Sequence, residues 1–576
     1  MVVRLLVGAL LATALCACEA GPWQESCKPF DDIDENLLTR LDYGQGTQLF
    51  EDATVSSGTG YIHDLEGEIF HYESSVGGGV AMEDFDLDGD LDLIVTGGLD
   101  DNAYFLNQGD GTFWECAAPA GLDGSGDWSM GVSVADYDND GDRDVLLLNH
   151  GPNQLLANQG DGSFVDVTDI SGLEGAERSA GASWADLDND GFLDLVIANQ
   201  VNSMNLDGRN VYPPTASRLY RNLGNGTFSD HSSEVGTAGF REGSSYLAPL
   251  LDFDGDGLTD VLITQEFGQS MERNRIYQNQ GTANPDKWIT LQDRNEGSNI
   301  DYPYAVMGAA IFDFNHDTLP EIFMTNMIEE APEREVLLMN NGDFQFEDVT
   351  DTYAINGMDA DRDSEFYRST SWAALQLDYD NDGDDDLYTV YGQMHQGVDT
   401  PFSCGSFAPM CPHQPNLLQR NDNNTTFEAL GGTYSEDHGI GRGMAAGDVN
   451  RDGCLDLYIV NEDSPSRLLM GLCENAGNAL VLNLEGTISN RDAVGSIVVI
   501  ETEENSQTKF VTAGSTSVHS AQPFEIHIGI GSATTINRLS VIWPTGVQVS
   551  YENIEVGSGT PRFLIREGDE APTPLP

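Results

Sequence analysis

A nine-residue acidic pattern recurs seven times along this chain, and it limits the fold more than any other feature. The first copy reads Asp84-Phe85-Asp86-Leu87-Asp88-Gly89-Asp90-Leu91-Asp92 and runs into the apolar stretch Leu93-Ile94-Val95. Counting from the first Asp, carboxylates stand at positions 1, 3, 5 and 9, Gly stands at position 6, and position 7 has its main-chain carbonyl to offer. The second copy is Asp136, Asp138, Asp140, Gly141, Asp142 and Asp144, and the third is Asp186, Asp188, Asp190, Gly191, Phe192 and Asp194. The fourth is Asp252, Asp254, Asp256, Gly257, Leu258 and Asp260. The sixth is Asp378, Asp380, Asp382, Gly383, Asp384 and Asp386, and the seventh is Asp448, Asn450, Asp452, Gly453, Cys454 and Asp456. The fifth departs from the rule: Asp313, Asn315 and Asp317 are followed by Thr318 in place of Gly, and Glu321 stands at position 9.

Oxygens at alternate positions of a tightly wound loop converge on one side, which suits a hard cation. Calcium takes roughly six to eight oxygen ligands. The turn at position 6 calls for the positive φ that Gly adopts without strain. Carboxylates so close together repel unless a divalent ion neutralises them. One copy alone would also read as a polar Asp/Gly turn; seven in matched contexts would not. An EF-hand needs Glu at position 12 and flanking helices. Position 12 is Val95 in the first copy and Leu147 in the second, and the flanks are β-branched and Gly-rich. The expectation is therefore calcium at up to seven strand-to-strand loops, with the fifth empty or weak.

The first ligands fall at 84, 136, 186, 252, 313, 378 and 448. Repeats of this length in fixed order predict a propeller, one four-stranded blade per repeat. In the first repeat strand A precedes the loop (Gly79 to Met82), B follows it (Leu91 to Thr96), C is Tyr104 to Leu106, and D starts at Phe113 after an Asn107-Gln108-Gly109-Asp110-Gly111-Thr112 turn. The turn returns at Asn158, Asn222 and, altered, at Asn340. The seventh repeat lacks its strand D, while Gly46 to Thr54 has the character of an unattached one. Splicing the two would close the ring and leave no open edge. The fold class expected is all-β: a seven-bladed β-propeller with calcium-binding loops, plus a small C-terminal β domain. Its organisation reads as a leader at 1–17, a linker at 18–42, the propeller at 43–473, the β domain at 474–566 and a disordered tail at 567–576. Two strand B–C connections, about Asn199 to Ser217 and about Gln393 to Asn416, exceed the usual length and carry Tyr212, Met394, His395, Phe402 and His413. Long loops on a rigid scaffold are where recognition concentrates.

Composition narrows the partners. The formal net charge is -71, from 96 acidic and 25 basic residues, which disfavours nucleic acid. About 30 of the acidic residues sit in the seven loops, so much of the charge is a ligand set. Leu5 to Leu15 is too short an apolar run for a membrane span. It ends in Leu15-Cys16-Ala17-Cys18, similar to a bacterial lipobox in which Cys18 would be lipidated; an ordinary signal peptide cut nearby is the alternative. Either way the chain is expected to be exported, as an outer-membrane or cell-surface lipoprotein or as a secreted protein. Cys27, Cys116, Cys404, Cys411, Cys454 and Cys473 remain for disulfides, with Cys404 to Cys411 the favoured pair.

The loops in their strand contexts resemble FG-GAP/VCBS repeats, and Gly441 to Gly453 resembles the cartilage acidic protein group. Beyond Cys473 the chain resembles an ASPIC/UnbV domain, on Gly486 to Gly495 (with Asn490-Arg491-Asp492), His527 to Gly531 and Trp543-Pro544-Thr545-Gly546. The resemblance implies an extracellular calcium-binding protein, of adhesion or matrix type, and supplies no activity for the C-terminal domain. With no HExxH, GxSxG or P-loop in the sequence, no catalytic residue is assigned. Asn490 to Asp492 reads as a polar turn, and His519 and His527 as exposed strand residues. The function expected is a surface binding module for a glycan, protein or matrix ligand. A polysaccharide lyase or hydrolase on the same scaffold is the alternative, and a structural surface component is the third.

Overall fold

The computed structural model describes residues 23–30, 48–63 and 77–575, apart from short internal stretches and the longer 356–369, 393–415 and 431–438. The chain is all-β. The apolar runs that flank the acidic loops pair as the sequence predicts. In the first repeat Val80–Glu83, Asp92–Val95, Ala103–Asn107 and Phe113–Glu115 form one antiparallel sheet, here sheet 1. Five further sheets repeat the A–B–C–D order, with inner strands Ser129–Ala135, Arg178–Ala185, Leu250–Leu251, Val306–Phe312 and Ser371–Leu377 for sheets 2 to 6. Sheet 7 is built from Ile440–Gly447, Asp456–Glu462 and Arg467–Gly471, and its outer strand comes from the other end of the chain: Phe50–Asp52 pairs antiparallel with it, Phe50 opposite Gly471. Inner strands of sheets 1 and 2, 2 and 3, 3 and 4, 5 and 6, and 6 and 7 lie against one another, and those of sheets 7 and 1 do so too.

The cores lie between neighbouring sheets. Met130, Ala180, Tyr246, Met307, Trp372 and Met444, from the innermost positions of six sheets, join one cluster around the axis. Burial of such side chains stabilises each by about 1.5–3 kcal/mol.

The linker expected over 18–42 is not what residues 23–30 form. Lys28–Pro29 adds a fifth strand to sheet 1 beside Trp114 and Glu115, Cys27 is disulfide-bonded to Cys116, and Trp23 stacks on Tyr104. A second disulfide joins Cys454 to Cys473. The favoured pair, Cys404 and Cys411, lies outside the described residues, as do Cys18, Tyr212, Met394, His395, Phe402 and His413. The first long B–C connection carries a hairpin of its own, Met204–Leu206 with Arg209–Val211.

The C-terminal region forms two further four-stranded sheets. Ala479–Glu485 pairs antiparallel with Ile526–Gly529 and parallel with Arg562–Arg566, and Ile497–Glu501 lies between Ser506–Phe510 and Thr535–Ile542. The tail expected to be disordered is ordered in part. Thr573–Pro574 pairs with the Arg562–Arg566 strand, and the Glu567 carboxylate accepts hydrogen bonds from the main-chain N–H groups of Thr487, Ile488 and Ser489.

Candidate metal centres and the domain that covers them

All seven acidic loops have one internal wiring, and the sequence pattern explains each bond. The position 1 carboxylate accepts from the N–H of position 6: Asp84 from Gly89 at 2.9 Å, Asp136 from Gly141 at 2.9 Å, Asp378 from Gly383 at 2.8 Å, and likewise Asp186, Asp252, Asp313 and Asp448. The position 5 carboxylate accepts from the N–H of position 7, as Asp88 from Asp90, Asp190 from Phe192, Asp256 from Leu258, Asp382 from Asp384 and Asp452 from Cys454. Position 6 has φ between +86° and +108° where it is Gly. Thr318 takes the same left-handed turn at +71°. Position 4 is left-handed as well, in Leu87, Asn139, Asn189, Gly255, His316, Asn381 and Arg451.

The position 9 carboxylate does more than face the loop centre. Asp92, Asp144, Asp194, Asp260, Glu321, Asp386 and Asp456 each accept from the position 2 N–H with one oxygen and, with the other, from the N–H of the last residue of strand C. Each oxygen keeps a second lone pair for an ion, except Asp92 Oδ2, which also accepts from the Tyr104 hydroxyl at 3.3 Å. Glu321 reaches both donors with its longer arm, so the fifth loop keeps the same wiring.

Ligand atoms of Asp84, Asp86 and Asp88 lie within 4.8 Å of one another, as do those of Asp136, Asp138 and Asp144, of Asp186, Asp188 and Asp194, and of Asp252, Asp254 and Asp260. The fit to a cation rests on buried oxygens with no hydrogen-bond partner: Oδ1 of Asp84, Asp138, Asp142, Asp188 and Asp380. A solvent-excluded carboxylate oxygen without a donor is costly, and a bound cation removes that cost. Burial and neighbouring carboxylates push Asp84 up to about 8, and burial above all, with nearby carboxylates, pushes Asp142 to about 8 and Asp86, Asp136 and Asp186 to about 7. Burial also raises Asp260 to about 9 and Glu321 to about 8. The residues present therefore suit a hard divalent ion such as calcium, which would hold these groups ionised. The Asp452, Cys454 and Cys473 cluster differs, because its two sulfurs are joined to each other.

Several groups around the loops were not foreseen. Gln24 donates to Asp86 Oδ2 at 2.9 Å, the Arg221 guanidinium lies 2.7 Å from Asp188 and 3.2 Å from Asp190, and Arg451 pairs with Asp90 at 2.8 Å. The Asn opening five of the C–D turns is a staple between sheets, while Asn421 in sheet 6 donates instead to Asp385 O and Asn424 Oδ1. Asn158 donates to Phe85 O at 2.8 Å, Asn222 to Tyr137 O at 2.7 Å, Asn279 to Leu187 O at 2.8 Å and Asn340 to Phe253 O at 2.9 Å, each reaching position 2 of the preceding loop. Asn107 makes the same bond across the closure of the ring, to Val449 O at 2.9 Å.

The C-terminal domain sits on this loop face. Asp492 Oδ2 accepts from Asp136 N at 2.7 Å, and its other oxygen is 3.0 Å from Arg143 Nε. Arg491 N donates to Asn139 Oδ1 at 3.0 Å. At the sixth loop, Gly477 N and Gly531 N each donate at 2.8 Å, to Asp380 O and Asn381 O, and Lys509 pairs with Asp385 at 2.5 Å. Asn490 does shape its own turn, bonding both main-chain atoms of Val494, but Asp492 belongs to the junction. The two histidines expected to be exposed are not. His519 is 1% exposed in the axial channel, with Nδ1 2.7 Å from Ala180 O, and burial drives it down to about 3. His527 is partly buried against Asn381 Oδ1 at 2.8 Å, and burial with Lys509 drives it down to about 4.

A second polar cluster lies near the axis at the opposite ends of the strands. Arg178, Arg442, Glu266, Glu335 and Glu462 are all at most 4% exposed. Arg442 pairs with Glu462 and lies 4.1 Å over the Trp372 ring, and Glu266 accepts from Ser244 at 3.0 Å.

The repeated loops and the domain seated on them define the class: the chain carries FG-GAP-like repeats, matched at 84–147, 136–197, 252–324 and 378–459, followed by an ASPIC and UnbV domain matched at 486–572. It is similar to cartilage acidic protein 1 of Mus musculus, 26% identical over 247 residues, 42% of this chain. That match spans 37% of the mouse protein's length. Among solved structures, an Agrocybe aegerita lectin that recognises non-reducing terminal N-acetylglucosamine aligns with TM-score 0.39 and 15% identity, over 67% of this chain and 86% of the lectin. A Bacillus licheniformis rhamnogalacturonan lyase aligns with TM-score 0.34 and 13% identity, over 69% and 72%.

Proposed function

We propose that the protein is an exported, calcium-loaded seven-bladed propeller that serves as a surface binding module for a glycan, protein or matrix ligand. Its loops would hold the ions through the carboxylates at positions 1, 3 and 5, the carbonyl at position 7 and the free lone pairs of position 9. The observation that carries the reading is the sevenfold loop wiring, with buried, unpartnered carboxylate oxygens in four of the loops. The two disulfides support export, because such bonds persist in oxidising compartments. Anchoring through a lipid on Cys18 belongs to the same proposal. No helix among the described residues is long and apolar enough to cross a membrane.

The C-terminal domain takes up the loop face, so recognition falls to the B–C face, where the Met204–Leu206 and Arg209–Val211 hairpin lies. A second reading, a polysaccharide-active enzyme, is favoured by the buried charged cluster on that same side. Charged groups taken out of water cost several kcal/mol each in round terms, and such clusters concentrate at functional sites. The test is a polysaccharide panel in millimolar calcium, scored for retention and for chain shortening. Retention without shortening is expected. Shortening would replace the binding reading with the enzyme one and make Arg442 and Glu462 the first residues to substitute.

A further inference from the structure

The strand Ile526–Gly529 of the C-terminal domain is preceded by a segment that leaves the domain and enters the axial channel. Ala513–Gly514 pairs with the inner strand of sheet 3, opposite Trp184 and Ser183. Further along, Val132 N donates to His519 O at 3.0 Å, Ala521 N donates to Val80 O at 2.9 Å, and Met82 N donates to Ala521 O at 3.3 Å. The Gln522 side chain accepts from Ala446 N and donates to Met444 O, both at 3.0 Å. Val518 is fully buried in the axial cluster with Met130, Met307 and Trp372. Inner strands of sheets 1, 2, 3 and 7 thus bond to one inserted segment, which fills the channel as a plug.

The same domain rests on two calcium loops through atoms whose placement depends on loop shape: Asp136 N, Asn139 Oδ1, Asp380 O and Asn381 O. An emptied loop gathers buried carboxylates that repel when ionised, so its peptide positions and its charge both change with occupancy. The fourth loop offers a contrast, since its hydrogen bonds run within itself, to Gln278 and Asn279 of its own sheet and to Asn340 of the next sheet, rather than to the C-terminal domain.

We propose that calcium in the second and sixth loops and the seating of the C-terminal domain are linked equilibria, so that Ser517–Phe524 closes the axial channel only while those loops are filled. This rests on the calcium reading above. Linkage is reciprocal, so seating of the plug raises calcium affinity by the factor with which calcium favours seating.

The experiment is hydrogen exchange of the 517–524 amides in the full chain at saturating calcium, with calorimetric calcium titration of the same samples. Asp138→Asn and Asp380→Asn are expected to speed that exchange about tenfold, an ordinary coupling, while Asp254→Asn leaves it near the unsubstituted rate. Equal exchange in all samples, or equal loosening by Asp254→Asn, would overturn the linkage. Val518→Asp tests the reverse direction by placing a charge in the channel. It is expected to weaken calcium binding severalfold, and an unchanged titration in a variant whose plug exchanges faster would also overturn it. A chain that takes up no calcium removes the calcium reading and the linkage together; calcium uptake with an unresponsive plug removes the linkage alone.

Discussion

At the residue scale the loops depend on two left-handed positions, and only one was legible. Gly at position 6 announced its turn because no other residue makes it so cheaply. Position 4 gave no such signal: Asn139, Asn189, Gly255 and Asn381 suit a left-handed backbone, but Leu87, His316 and Arg451 hold it as well. The carboxylates enforce that geometry through their bonds to loop N–H groups. Thr318 is the costly case, a β-branched residue at φ +71°. Thr318→Gly is expected to stabilise the protein by about 1 kcal/mol in denaturant melts. A lower stability would show that the Thr side chain itself holds the fifth loop.

At the element scale, the apolar runs flanking the acidic loop and the turn residues placed the strands of sheet 1 to within one or two residues, since local chemistry fixes them. The orphan strand near the N-terminus was legible because its partner's missing strand D was legible too. Phe50–Asp52 completes sheet 7, where Phe50 lies edge-on to Tyr388 of sheet 6 and Arg467 pairs with Asp52 at 2.6 Å. Removing residues 48–54 is therefore expected to lower the main melting transition of the whole propeller. A deletion that left that transition in place would refute closure through this strand. The Asn staples were half legible: Asn recurs at 107, 158, 222 and 340, but the carbonyl each meets lies in another repeat. The docking of residues 23–30 on sheet 1 gave no local sign, because its strand is two residues long and its partner, Cys116, is 89 positions from Cys27.

At the scale of the whole molecule, the acidic excess and the seven loops were plain in the sequence, while the domain arrangement was not. His519 and Asp492 read as surface residues because their partners, Ala180 and Asp136, are more than 300 positions away. The charge also sets how stability should respond to pH. Folding raises the pKa of Asp84, Asp86, Asp136, Asp142 and Asp186 from 3.8 to about 7 or 8 in the calcium-free chain. A group raised in this way contributes stability below its unfolded value and loses it as pH climbs through the folded one. The calcium-free protein should weaken from about pH 4 to pH 8, while calcium, which binds the ionised form, should gain affinity over the same range.

Thermal melts of the full chain at pH 5, 6, 7 and 8, in millimolar calcium and in EGTA, therefore test most directly whether calcium holds this scaffold together. The melting temperature should fall with pH in EGTA and hold in calcium, so that the gap between the two widens toward pH 8. Coincident melts in calcium and EGTA at every pH would contradict the calcium scaffold outright.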